Sequence, residues 1–328
     1  MKKLINTYTF SALFIMLSAY SHAQTSANGR VLITGSRFTY PLVEQWMAGF
    51  KKVYPEVEVR ILPRGGASAD SGNLIINAHK LLPTEIKPNY TVVNIGKYAI
   101  LPIVNPNSAF AREHVARGIR EKEIKQYFFQ EYDGFHDDSR EAKEAKKRKA
   151  KTNHEPVIYT REQKACVPQA FANFYGHNQE NIRGKGITGE DKHMIPAVKK
   201  DTNGLSYNVL NWVYDLNTRK AIEGIAVVPI DFNDNGKLDE NETIYENLDE
   251  LISKIETGKV PEIPVEYVNI QYPAQFNDKT ENLKLFVQYI LNEGQKLNHQ
   301  YGFLDFEPEN LAKQKEVAEA SFQTRSKN

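Results

Sequence analysis

The chain has 328 residues, of which 41% are hydrophobic, 25% charged and 11% aromatic, and its formal charge is +1. Such a chain buries a sizeable core as one large or two medium domains. Its near-neutral charge gives no general electrostatic reason to expect nucleic acid or an anionic membrane as partner, and its single cysteine, Cys166, excludes an intramolecular disulfide.

Lys2 and Lys3, the apolar run at residues 10–19 (FSALFIMLSA) and the small-x-small site Ser21-His22-Ala23 predict a secretory signal peptide over residues 1–23. The run is too short to span a membrane, and no later stretch is long enough. The expected product is a periplasmic or secreted protein starting at Gln24, with no membrane span. Loss of Lys2 and Lys3 takes its charge from +1 to −1.

Residues 31–54 read as strand, tight turn and helix. Val31, Leu32 and Ile33 suit a buried strand, and Gly35 supplies the permissive backbone of a turn. Ser36 or Thr39 can cap the helix, and Pro41 fits its first turn. Val43, Trp46, Met47, Phe50 and Val53 recur along one helical face. The junction directs free N–H groups and a helix dipole at one spot, which suits an anion, and Arg37 adds a full charge. An ordinary strand–helix connection has the same pattern.

Residues 57–62 alternate like a strand, and residues 63–72 (PRGGASADSG) form a turn that is either a second wall of an anion site or a connector. Residues 90–104 predict one or two buried strands, with a domain crossing near Asn105-Pro106-Asn107. Residues 121–129 predict a helix with Ile124, Tyr127 and Phe128 inward. Residues 137–153 are rich in lysine and read as a solvated helix or insertion. Residues 157–160 predict a strand and Val167, Ala170, Phe171, Phe174 and Tyr175 a helix. Cys166 stands at its start, where thiols can be activated. No histidine accompanies it at telling spacing, so a packed core thiol is expected.

Residues 231–242 (DFNDNGKLDENE) match the twelve-position calcium loop D-x-[DN]-x-[DN]-G-x5-E throughout. Asp231, Asn233 and Asn235 offer side-chain oxygens and Lys237 its carbonyl. Asp239 offers a direct or water-mediated ligand and Glu242 a bidentate carboxylate, so calcium is the expected cofactor. Residues 225–230 read as the preceding strand. A helix is expected over residues 248–255, and Pro261-Glu262-Ile263-Pro264 reads as a stiff linker. Leu283, Phe286, Val287, Ile290 and Leu291 predict a helix stopped by Gly294, and residues 307–322 a closing polar helix. No metalloprotease, P-loop or dinucleotide motif is present, and an enzyme is not expected.

The order of several short motifs resembles the phosphate-type periplasmic binding proteins that deliver ligand to ABC transporters. The matching stretches are Gly35-Ser36-Arg37-Phe38 with Pro41 and Trp46, residues 65–72, residues 119–129 and Arg161 ahead of its helix. They continue with Asp201-Thr202-Asn203-Gly204-Leu205-Ser206-Tyr207, Asn292-Glu293-Gly294-Gln295-Lys296 and Tyr301-Gly302-Phe303. The resemblance implies an α/β, type II periplasmic binding protein-like fold of two lobes. Each lobe is a central mixed sheet flanked by helices, joined to the other by two hinge crossings and closing on ligand. Residues 24–104 with 265–328 would form lobe 1, and residues 105–264 lobe 2.

The resemblance implies a ligand site of Ser36, Arg37, Phe38, Ser68, Ser71 and Arg161. Arg37 stands where the family has a hydroxyl, and Ala165-Cys166-Val167 replaces an expected Ser-Gly-Thr. The family's buried aspartate has no clear counterpart near residues 74–81, and the calcium loop lies outside the basic family pattern. The expected function is an exported, monomeric solute-binding protein for phosphate or another small oxyanion, with a membrane transporter or surface uptake complex as partner. The alternative is a binding-protein fold with a degenerate site, acting as a calcium-stabilised interaction component of a surface or periplasmic assembly.

Overall fold

The structure, a computed structural model, describes residues 29–63, 73–130, 155–274 and 280–323. The expected signal peptide, Ser68, Ser71 and the lysine-rich segment lie outside these residues.

Strand β1 (Val31–Gly35) runs through a 3-10 turn, Arg37–Thr39, into helix α1 (Tyr40–Val53), with Pro41 in the first helical turn. Neither Ser36 nor Thr39 caps through its side chain to an amide; Thr39 Oγ1 instead donates to the Ser36 carbonyl at 2.6 Å. Strands β2 (Val59–Ile61) and β3 (Leu74–Asn77) pair parallel on either side of β1. Residues 90–104 form one strand, β4 (Tyr90–Val104).

Helices α2 (Ala109–Arg117) and α3 (Glu121–Phe128) follow, then β5 (Val157–Arg161), α4 (Cys166–Phe174), β6 (Lys185–Ile187) and α5 (Met194–Lys200). Next come β7 (Gly204–Val209), the single turn α6 (Leu210–Val213), β8 (Ala226–Val227) and α7 (Leu248–Glu256). Strand β9 (Val265–Pro273) and helices α8 (Glu281–Leu291) and α9 (Pro308–Gln323) complete the described chain. The strand expected over residues 225–230 shrinks to two residues because Pro229 has no N–H to extend a ladder.

These strands make a mixed sheet in the order β2-β1-β3-β9-β4-β7-β5-β6, with β8 also on β4. Strand β4 belongs to both halves. Residues 90–99 pair antiparallel with β9 and residues 100–104 with β7. At the changeover the Ile100 amide donates to the Pro264 carbonyl at 2.9 Å, so the two chain crossings lie side by side. The result is a two-lobed α/β fold with helices flanking the sheet.

In lobe 1, Val43, Trp46 and Phe50 of α1 pack with Phe286, Val287 and Ile290 of α8 as buried side chains. Val53, expected on this face, is 60% exposed at the helix end. Helix α8 ends at Leu291, before Gly294, whose carbonyl accepts the Trp46 indole N–H at 2.9 Å and closes the polar end of that core. In lobe 2, Phe171 stacks on Tyr207 with centroids 4.2 Å apart and meets Phe128 edge-on. Phe174, expected inward, is exposed, whereas Val167, Ala170, Phe171 and Tyr175 are buried.

Candidate functional site

The carboxyl ends of parallel strands are where α/β sheets present binding groups, because the chain leaves the sheet there with free amides and unpaired side chains. Here β1 and β3 in lobe 1, and β5 and β6 in lobe 2, all deliver residues to one cleft of about 230 Å³. Its lining includes Ser36, Arg37 and Phe38 after β1, Asn77 ending β3, Arg161 ending β5, Cys166 opening α4, and Glu190 and Asp191 after β6. The sequence-derived residues Ser36, Arg37, Phe38 and Arg161 therefore meet in one place.

Gly35 makes this turn possible. Its φ is +120°, and a Cβ there would lie 1.9 Å from the Ile76 carbonyl oxygen, which accepts the Ser36 amide at 2.9 Å. The next residues are thus held against β3 by backbone. Phe38 is 4% exposed, tilted on Tyr98 at 4.8 Å and stacked on Phe303 at 5.9 Å, so its ring anchors the turn to the lobe 1 core. Its carbonyl accepts the Asn211 side-chain amide of α6 at 2.8 Å.

Each arginine of the cleft faces an acid that the sequence reading did not single out. Arg37 donates across the cleft to Glu190 at 2.6 Å, and Arg161 donates to Asp191 at 3.1 Å. Burial pushes the Glu190 carboxyl up, but Arg37 and Lys192 outweigh it and leave it below the ordinary range. Burial prevails at Asp191, raising it despite the opposing Arg161 guanidinium. The Arg161 side chain is 8% exposed, and its Nε is buried without a hydrogen-bond partner. A guanidinium N–H left so in a polar cleft is costly unless a ligand or water oxygen accepts it.

Cys166 packs half-buried against the core, as expected, and it also has polar neighbours that the sequence did not show. Its Sγ lies in the cleft lining, 3.1 Å from Ser36 Oγ and 3.2 Å from His79 Nδ1. His79 Nε2 faces Glu85 Oε1 at 3.2 Å, and Glu85 Oε2 accepts the Leu82 amide at 2.8 Å. The hydrogen bond to Cys166 is the main cause that pushes the His79 imidazole up to about 9, with Glu85 adding to it and burial opposing. Burial raises the Glu85 carboxyl, but the Leu82 amide and His79 hold it below the ordinary carboxylate range. His79 and Cys166 are 87 residues apart, which hides their contact from any spacing rule. The legible signal was positional: His79 follows the end of β3, as Ser36 follows β1.

The loop at residues 231–242 is closed by hydrogen bonds from its own amides to its own side chains. Asp231 and Glu242 are buried. Asp231 accepts the amides of Asn235 and Gly236 at 3.2 and 2.7 Å, and Glu242 accepts those of Phe232 and Asp239 at 2.7 and 2.8 Å. Gly236 has φ +79°, the sharp turn expected of it. Asn233 and Asn235 direct their amide nitrogens to Asp239 Oδ2, while their oxygens accept the amides of Asn235 and Lys237. Three carboxylates and two amides on one short loop are the residue types a hard divalent cation takes, while here their oxygens are held by amides of the loop itself. Elsewhere, Glu256, His299 and Asp305 bring ligand-type atoms within 4.8 Å of one another, a grouping that sequence spacing did not show.

No protein-family model matches the chain, and no curated protein matches it in sequence. Solved structures do match it in shape. The chain is similar to a putative phosphate ABC transporter substrate-binding protein with bound phosphate from Clostridium perfringens. The two align with a TM-score of 0.60 at 16% identity, over 85% of this chain and 100% of that one. It is also similar to an ABC-type phosphate transport receptor from Vibrio cholerae, with a TM-score of 0.54 at 12% identity, over 84% and 100%. A possible phosphate binding protein from Planctomyces limnophilus aligns with a TM-score of 0.53 at 12% identity, over 91% and 100%. No helix among the described residues is long and apolar enough to cross a membrane. At such identities the likeness establishes the architecture: the chain has the two-lobed fold of these binding proteins.

Proposed function

We propose that this is an exported solute-binding protein, not an enzyme, which captures a small anion between its lobes for a membrane transporter or surface uptake complex. Arg161 carries the reading, because this guanidinium lines a cleft of ligand size and its buried Nε has no hydrogen-bond partner. Ser36 and Arg37 supply the opposing wall. Ala165 and Val167 leave the second wall without the hydroxyls a dry phosphate pocket needs, and a hydrogen bond to a charged group contributes about 1.5–3 kcal/mol. Phosphate therefore binds weakly or not at all, and a carboxylate or another oxyanion is the better fit. Calcium at residues 231–242 acts as a structural clamp outside the cleft.

A second reading has its own support. Glu190 and Asp191 already neutralise both arginines, as they do in a degenerate site whose protein has become a calcium-stabilised interaction component.

Calorimetry with phosphate, sulfate and small carboxylates, with and without calcium, separates the two. A ligand that binds wild type and is lost in Arg161→Ala and Arg37→Ala, with folding checked by thermal melts, supports capture. Binding that survives both substitutions places the site elsewhere, submicromolar phosphate affinity refutes the donor-poor wall, and silence across the panel favours the degenerate site.

A further inference from the structure

We infer that Cys166, paired with His79, is a nucleophile that attacks small anionic electrophiles drawn into the cleft, so that the cleft is a site of covalent modification. Three features of geometry converge on the sulfur. His79 and Ser36 both reach Sγ, at 3.2 and 3.1 Å, and Cys166 is the first residue of the nine-residue helix α4, whose N-cap Ala165 offers no capping side chain. A sulfur at a helix N-terminus beside an imidazolium is the arrangement that favours thiolate.

His79 is built to carry that charge. With Sγ at Nδ1 and Glu85 Oε1 at Nε2, the ring donates to Glu85 and shares a proton with the sulfur, so the thiol proton has a base in hydrogen-bond reach. The Asn269 amide fixes its backbone by donating to the His79 carbonyl at 3.0 Å, and the Leu82 amide fixes Glu85. Nucleophile, imidazole and orienting carboxylate thus follow one another in hydrogen-bond reach.

An independent observation points to the kind of molecule attacked. Arg161, 8% exposed with its Nε unpartnered, lines the same cavity and offers a donor to an anionic group. In this respect alone the inference rests on the anion reading above. The other charged or titratable groups facing the pair are Arg37, Glu190, Asp191, Lys164 and Tyr98. The two arginines are matched by the two acids, so the His79–Cys166 pair is not overwhelmed by either sign.

In the reaction a sulfur lone pair forms the new bond to the electrophilic carbon. The carbon–leaving-group bond breaks, and the leaving group departs with its electron pair. With iodoacetate the products are carboxymethyl-Cys166 and iodide. The chain holds one cysteine, so every adduct that is absent from Cys166→Ser reports on this site.

The test compares alkylation of the full chain by iodoacetate and by uncharged iodoacetamide, followed by intact mass from pH 6 to 9. An ordinary thiol, with a pKa near 8.5, is only about 0.3% thiolate at pH 6. Wild type should react about tenfold faster at pH 6 than His79→Gln, because the variant lacks the base beside the sulfur. Iodoacetate should outpace iodoacetamide in wild type, and Arg161→Gln should erase that preference. A wild-type rate no greater than that of His79→Gln across the range overturns activation of the sulfur by His79. A ratio of the two rates equal to that of free N-acetylcysteine overturns the recruitment of anions. Calorimetry on Cys166→Ser tests anion binding without the sulfur, so failure of that reading is seen separately.

Discussion

Glu123 shows how much one side chain decides in this fold. Its carboxylate, 12% exposed, receives two bonds from Arg117, at 2.8 and 2.9 Å, and further bonds from the Arg120 side chain and amide. Burial pushes its pKa up, yet these donors prevail and hold it at about 2 instead of 4.5. A group so depressed contributes stability that is fully present above pH 4.5 and is lost as pH falls through about 2. The displacement corresponds to about 3 kcal/mol at neutral pH. Denaturant unfolding from pH 7 to 2 should show wild type more stable than Glu123→Gln by an amount of that order, with the gap closing between pH 4.5 and 2. A gap independent of pH would assign the loss to packing instead. At this scale the sequence was only partly legible. Arg37 and Arg161 could be named because they stand in a recognisable motif order. Glu190 and His79 could not, because their partners Arg37 and Cys166 lie far off in the other lobe, and Asp191 and Glu85 could not, because only the fold brings them onto Arg161 and His79. What they share, apart from Glu85, is a place just beyond the end of a parallel strand.

Elements were easier to read, since their signals are local. The β1–turn–α1 unit, α3, α4, α7, α8 and α9 all lie close to where periodicity and turn residues put them. Residues 90–104, expected to hold one or two strands, form the single strand β4, and which half pairs with β9 and which with β7 is a fact of topology that they do not encode alone. The calcium loop is the element whose proposed chemistry is most local, and its response can be measured without the cleft. A ligand that binds only the folded state stabilises it by RT ln(1 + [L]/Kd), about 2.7 kcal/mol at a hundredfold excess over Kd. Thermal melts should rise with calcium and fall with chelator in wild type. Glu242→Ala removes a buried carboxylate and its bonds to Phe232 and Asp239, so that variant melts lower throughout. The informative comparison is within each variant. Wild type should shift with calcium and Glu242→Ala should not, and a wild-type melt unmoved by calcium would reduce the loop to a polar turn.

For the whole molecule, the question is what holds the lobes together when no ligand is bound. Arg37 comes from lobe 1 and Glu190 from lobe 2, and their 2.6 Å ion pair crosses the cleft between side chains that are 28% and 25% exposed. Ser36 and His79 reach Cys166 across the same gap, and Asn211 reaches the Phe38 carbonyl. The chain therefore sets its own carboxylate against the guanidinium that a captured anion would use. Under the capture reading, ligand must compete with Glu190 for Arg37, and closure is partly built in beforehand. Replacing Glu190 with Gln removes the competitor's charge while keeping its shape. A half-exposed ion pair contributes about 1 kcal/mol or less, so anion affinity should rise by up to about fivefold. Without ligand, the same variant should open, seen as a larger radius of gyration in solution scattering, and then contract again when the anion is added. If affinity falls instead, Glu190 is part of the binding wall and accepts a proton or cation from the ligand. If neither affinity nor radius changes, the lobes are held by β4, β9 and the Asn211 contact, and the cleft does not work by hinge closure.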